Sequence, residues 1–246
     1  MKKNFIIAIF CSFAAFSYAE EKMSGVNLGI TASHAKEIYK VSAKEKYSVL
    51  PLISVNYKDF YINQSELGYQ FQVHDNFLIS GYFDFLDGYP VKGKEMQKEY
   101  KSIQTRRSQI AGGGRITYFK DNFQTSIFAQ GGKRGSSTGA DLSLSFPLTE
   151  KLFFTTGLNY TIYSKNFTNY YFGVHKEDLG GKLTKVYSPK ASYSYGAEAS
   201  LEYQITEPFS IFTSVSATNY SKEITNSPLV KDKTNISTTI GLQYSF

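Results

Sequence analysis

Side chains able to do chemistry are plentiful in this sequence but scattered. Histidine occurs only at His34, His74 and His175, in three separate segments and at no spacing that suggests a metal site. Serine and threonine abound, yet none sits in a Gly-x-Ser-x-Gly context that would present a nucleophile. Glu66, Asp84 and Asp87 could meet near one rim of a fold, where hydrolysis would need an acid, a base and a nucleophile to converge. No catalytic residue, metal or cofactor is expected. Basic residues are the denser signal. Lys36, Lys40, Lys44 and Lys46 form one group, and Lys92, Lys94, Lys98, Lys101, Arg106 and Arg107 a second. Lys165, Lys176, Lys182, Lys185 and Lys190 form a third. Glu37, Glu45, Glu95, Glu99, Glu177 and Asp178 interrupt all three, which argues against a nucleic-acid partner.

The elements that would position these groups begin after a processing signal. Lys2 and Lys3 precede an apolar run from Phe5 to Phe16, and Ser17-Tyr18-Ala19 places small residues where a signal peptidase reads them. Cleavage is therefore expected between Ala19 and Glu20, making residues 1–19 a signal peptide and 20–246 a single domain. The run is shorter than the roughly 20 apolar residues of a membrane-spanning helix, and no later stretch approaches that length. The formal net charge of +6 falls by two when Lys2 and Lys3 leave. Cys11, the one cysteine, leaves too, so disulfide and thiolate chemistry are unavailable to the mature chain. If that chain spans a membrane, it must do so as a closed barrel, because only helices and closed barrels satisfy every backbone group in lipid.

Periodicity points to such a barrel. The 20 Tyr and 20 Phe are not gathered into runs, and a period of two governs most of the chain. From Ala191 to Ile205 the odd positions are Ala, Tyr, Leu and Ile, while the even ones are Ser, Gly, Glu and Gln. Alternation that long is the signature of a strand with one face in lipid and the other in a polar lumen. Further strands are read at Val26–Ala35, Tyr47–Tyr57, Phe60–Val73, Phe77–Tyr89, Ser108–Phe119, Phe123–Gly132, Gly139–Phe146, Leu152–Tyr163, Phe209–Tyr220 and Ile236–Phe246. That makes eleven, whereas single-chain bacterial barrels have even numbers. A kink at Asn63–Glu66 that splits Phe60–Val73 gives twelve; treating the first segment as a periplasmic extension gives ten. The expected fold is an all-β antiparallel transmembrane barrel of twelve strands. Gly112-Gly113-Gly114 marks either a close backbone approach within a strand or a flexible loop.

Connections fall into two classes. His74-Asp75-Asn76, Lys120-Asp121-Asn122, Pro147–Lys151 and Thr206-Glu207-Pro208 are short turns, while Lys36–Lys46, Pro90–Arg107, Ser164–Lys190 and Ser221–Thr234 are long and polar. Tight periplasmic turns and long external loops are the asymmetry of outer-membrane barrels. The lysine groups then fall outside the cell. There Lys94, Lys98, Lys101, Arg106 and Arg107 could contact the phosphates of lipopolysaccharide, or simply keep the loops solvated.

The last eight residues, Thr239-Ile240-Gly241-Leu242-Gln243-Tyr244-Ser245-Phe246, read polar-x-Gly-x-x-aromatic-x-aromatic and stop at the carboxyl terminus. Gly241, Tyr244 and Phe246 resemble the signal by which the barrel-assembly machinery recognises its substrates, and a strand edge with an aromatic face can pair with another sheet.

Three stretches carry a resemblance to a known family. They are Val49-Leu50-Pro51-Leu52-Ile53-Ser54-Val55-Asn56-Tyr57 with Phe60-Tyr61-Ile62 and Leu67-Gly68-Tyr69; Tyr170-Tyr171-Phe172-Gly173-Val174; and Ser227-Pro228-Leu229-Val230 ahead of Gly241-Leu242-Gln243-Tyr244. Together the chain resembles the MipA/OmpV family of outer-membrane proteins. The resemblance implies a non-enzymatic barrel that acts as a scaffold between a murein hydrolase, a periplasmic lytic transglycosylase, and a murein synthase. The other reading of such a barrel is a small porin, or a surface-binding, adhesin-like protein that uses its Lys-rich loops. Family members usually carry an acid-Ala pair soon after Tyr-Phe-Gly-Val. Here Lys176-Glu177-Asp178-Leu179 stands in its place.

Overall fold

The computed structural model describes residues 25–43 and 45–246; the expected signal peptide and its Ala19–Glu20 cleavage point lie outside the described residues. Twelve antiparallel strands follow one another around a closed barrel. They are β1 (Gly25–Lys36), β2 (Glu45–Tyr57), β3 (Phe60–Asn63), β4 (Glu66–His74), β5 (Phe77–Asp87), β6 (Gln109–Lys120), β7 (Phe123–Gly132), β8 (Gly135–Pro147), β9 (Leu152–Tyr163), β10 (Ser192–Thr206), β11 (Phe209–Tyr220) and β12 (Thr234–Ser245). The ring closes where β12 pairs with β1, from Asn27 opposite Ser245 to Ala35 opposite Ser237.

Alternation sorts the side chains as the period of two requires. Leu28, Ile30, Phe83, Ile127, Leu158, Tyr195 and Ile240 face outward and are exposed, whereas Ser33, Ser80, Ser126, Ser143, Ser194 and Thr239 face inward and are buried. A large apolar surface of this kind is stable only in lipid. Inside, Arg115 on β6 clamps Glu66 on β4 through two hydrogen bonds of 2.8 and 3.1 Å, and its guanidinium lies over the Tyr82 ring.

Phe60–Val73 does split. Lys58-Asp59 and Gln64-Ser65 are two-residue turns on either side of a four-residue β3, with Lys58 and Gln64 in the left-handed region at φ 55° and 51°. β3 covers only Ser54–Tyr57 of β2. The carbonyl of Ile53 points toward this side, since it accepts the Gln64 N–H, so by alternation the ring nitrogen of Pro51 points the same way. Pro51 therefore sits where β2 has no ladder partner and its missing N–H costs nothing.

Gly112-Gly113-Gly114 lies within β6, paired with β5 and β7. At the terminal strand, a Cβ on Gly241 would come within 2.3 Å of the Phe212 ring on β11, so an inward-facing aromatic occupies the space a side chain would need. Tyr244 and Phe246 stay on the lipid face, stacked edge to face at 4.7 Å, and the Phe246 N–H bonds to Val26 across the closing seam.

Candidate functional site

The main apolar core of this molecule is not inside the barrel wall but above it. The four long external connections each donate apolar side chains to one cluster. Ile38, Tyr39 and Val41 come from the first, Val91, Met96 and Ile103 from the second, Phe167, Tyr171, Phe172, Val174 and Leu183 from the third, and Ile224, Leu229 and Val230 from the fourth. Isolated bridges join the first connection to the fourth at Tyr39–Val230 and to the second at Val41–Met96, while Val91–Arg106 and Val174–Tyr187 fold the second and third upon themselves. The loops thus form a folded cap rather than solvated tails.

Helix α1 (Lys165–Phe172) is its centre. The Ser164 side chain accepts the Phe167 N–H at the helix start, which satisfies one of the free donors there. One face of α1, made by Phe167, Thr168, Tyr171 and Phe172, is buried against the barrel mouth. Thr168 Oγ1 meets Ser192 Oγ of β10 at 2.7 Å, and the Tyr171 hydroxyl donates to the carbonyl of Arg107 next to β6 at 3.0 Å. The Tyr89 and Tyr163 hydroxyls meet at 2.8 Å, and Tyr163 continues to Ser194 of β10. The cap therefore spans the mouth from β6 to β10. Burial pushes the Tyr39 and Tyr89 hydroxyls well above the ordinary tyrosine range, so they remain neutral. A second short helix, α2 (Lys222–Thr225), packs on α1 with Ile224 fully buried.

A buried ion pair locks the cap. Arg106, 4 % exposed, donates to Asp178 Oδ2 at 2.5 Å and to the Gly173 carbonyl at 3.2 Å. The Gln104 and His175 backbone N–H groups also donate to Asp178, at 2.7 and 2.9 Å. Burial works to raise the Asp178 pKa, but those two N–H bonds and the guanidinium outweigh it and hold the carboxyl below the usual aspartate range. Residues 176–179 thus carry one side of the lock.

Of the five basic residues expected to face lipopolysaccharide, Lys94, Lys98, Lys101 and Arg107 are exposed on the cap, and Arg106 is the buried partner of Asp178. Glu66 and Asp84 do come together, opposite each other on β4 and β5, but Glu66 is taken up by Arg115. Asp87 accepts from Gln109. Among the described residues, no group of His, Cys, Asp and Glu is arranged to hold a metal ion. The apolar loop residues were the missed signal. Ile38-Tyr39, Val41, Val91, Met96 and Ile103 sit at no regular period among the lysines and read as loop.

Residues 28–246 match the family model of the MltA-interacting protein MipA. The chain belongs to the MipA family. Relatives span the whole length: the 24 kDa outer membrane protein of Pasteurella multocida (strain Pm70) is 32 % identical over 256 residues, covering 99 % of this chain and all of that one. The MltA-interacting protein of Escherichia coli (strain K12) is 25 % identical over 240 residues, covering 95 % and 94 %. A solved NanC porin structure shares the fold with a TM-score of 0.50 at 8 % identity, covering 88 % of this chain and 98 % of that one. This MipA-family chain is thus an outer-membrane β-barrel. Two stretches that carried the family resemblance are cap residues: Tyr171, Phe172, Val174, Leu229 and Val230 are buried together, and Ser227 Oγ donates to the Phe172 carbonyl at 2.6 Å.

Proposed function

We propose that the protein is a closed, non-enzymatic barrel that serves as an outer-membrane scaffold, holding a periplasmic lytic transglycosylase and linking it to murein synthesis. The observation that carries this reading is the cap. A porin needs an open mouth, whereas here four loops pack an apolar core across it and a buried ion pair fastens them. The name of the Escherichia coli relative, MltA-interacting protein, supports the choice of partner. The docking surface must then be periplasmic, built from the turns Lys58-Asp59, Asp75-Asn76, Asp121-Asn122, Leu148–Lys151 and Glu207-Pro208. Charged and polar turn residues of this kind suit a modest, salt-sensitive contact. We place insertion by the barrel-assembly machinery at the terminal strand with Gly241, Tyr244 and Phe246, and the lipid contact at the apolar belt. The exposed Lys94, Lys98, Lys101 and Arg107 are proposed to meet lipopolysaccharide phosphates.

Detergent-solubilised protein should retain a periplasmic lytic transglycosylase in pull-down, and should stay silent in a planar bilayer. Repeated failure to retain any such enzyme sinks the scaffold reading. Stable open channels would instead favour the porin.

A further inference from the structure

The β7–β8 connection breaks the pattern of long external loops, because Lys133 and Arg134 alone join Gly132 to Gly135. The rim is low there, and α1 leans over β8 beside it. Between hairpin and helix lies a cavity of about 470 Å³ lined by Lys133, Arg134, Asn166, Asn169, Tyr170 and His175. Asn166, Asn169 and Tyr170 share one helical face at i, i+3 and i+4, opposite the face that α1 buries.

The lining carries two cations and a histidine but no acidic residue. Arg134 is held in place: its guanidinium donates to the Ser108 carbonyl and lies 4.8 Å from the Tyr170 ring centre, and its backbone N–H donates to Gln109. A carbonyl partner fixes the guanidinium without cancelling its charge. Tyr170 is fixed in turn, accepting the Arg107 N–H at 3.1 Å through its hydroxyl oxygen. The Asn169 Oδ1 atom is buried without a hydrogen-bond partner among the described residues. A buried acceptor left unmatched is costly and waits for a donor.

We infer that this cavity binds an anionic sugar: Lys133, Arg134 and His175 face its phosphate or carboxylate, and the Asn166 and Asn169 side chains lie beside its ring hydroxyls. Fixed cationic donors favour a doubly bonded oxyanion, and the volume suits a mono- or disaccharide. The cavity opens at the external rim, so the sugar comes either from lipopolysaccharide or from a free sugar acid or sugar phosphate outside the cell. The site is independent of the periplasmic contact.

Calorimetry on the detergent-solubilised full chain tests this with glucose 6-phosphate, galacturonate, glucose and lipopolysaccharide. Saturable binding of either anionic sugar, with glucose much weaker, is expected. Lys133→Glu and Asn169→Asp, both placing negative charge in the cavity, should each weaken binding roughly tenfold or more. Each variant must still show the folded barrel's shifted mobility in an unheated gel. Variant-sensitive lipopolysaccharide binding assigns the source to the lipid, and its absence assigns it to a free sugar. Glucose binding as tightly as its phosphate, no saturable binding of any probe, or folded variants with unchanged affinity would overturn the assignment.

Discussion

Removing Asp178 isolates a charge that the cap has buried. In Asp178→Ala the Arg106 guanidinium keeps the Gly173 carbonyl at 3.2 Å but loses the carboxylate, and the Gln104 and His175 N–H groups lose their acceptor. Breaking a buried pair by deleting one partner costs about 3–5 kcal/mol. At about 1.4 kcal/mol per tenfold, the equilibrium between closed and open cap shifts roughly 150- to 4000-fold toward open. The barrel wall does not depend on the pair, so the loss is local. Amide hydrogen exchange reads it directly: protection of the Lys40, Ser42, Gln97, Lys182 and Lys231 amides, which donate to carbonyls of other loops, should fall by that factor, while protection in β9 and β10 stays. In a planar bilayer, intermittent conductance should appear where the wild type is silent. The double variant Arg106→Met with Asp178→Leu removes both charges and should restore part of the protection, since no lone buried charge remains although the Gln104 and His175 N–H groups still lack their acceptor. Unchanged loop protection in Asp178→Ala, or loss of the barrel strands along with the loops, would refute the argument that this pair fastens a separable cap.

Other consequences follow from particular contacts. Because the Asp178 pKa is depressed in the folded state, its contribution is present above the ordinary aspartate value of about 3.9 and is lost as pH falls through the lower folded-state value; loop exchange should accelerate in that acidic range and not between pH 6 and 8. Gly241→Ala should destabilise the barrel by about 1–3 kcal/mol through overpacking, read as a lower thermal midpoint, and Phe212→Ala in the same chain should recover part of it. Proline should follow backbone parity on β2. Val49 shares with Pro51 the edge that has no ladder partner, while the Leu50 carbonyl turns toward β1, where it accepts the Thr31 hydroxyl at 3.3 Å. Val49→Pro should assemble, whereas Leu50→Pro should lose a ladder bond in lipid, at a cost of several kcal/mol, and fail to form the heat-modifiable band.

Alternation from Ala191 to Ile205 placed Tyr193, Tyr195 and Leu201 in lipid and Ser192, Ser194 and Glu198 inward, and in the fold they lie so. This is legible in one dimension because a strand's facing depends only on residue parity. The twelve strands were readable for the same reason, once the break at Asn63–Glu66 was preferred over the ten-strand alternative that evenness also allowed. The sequence alone also located the closing strand at the carboxyl terminus. The cap was not legible. Tyr39 donates to the carbonyl of Tyr171, 132 residues away, and Arg106 finds Asp178 72 residues away. Neither partnership leaves a period, because loop side chains meet through the closure of the barrel rather than through local geometry. The lysines around Arg106 made it look like surface, and only burial beside an acid revealed it as a lock. The low rim at Lys133-Arg134 likewise acquires meaning only when β7–β8 stands next to α1, since a cavity is a property of two elements brought together by the ring.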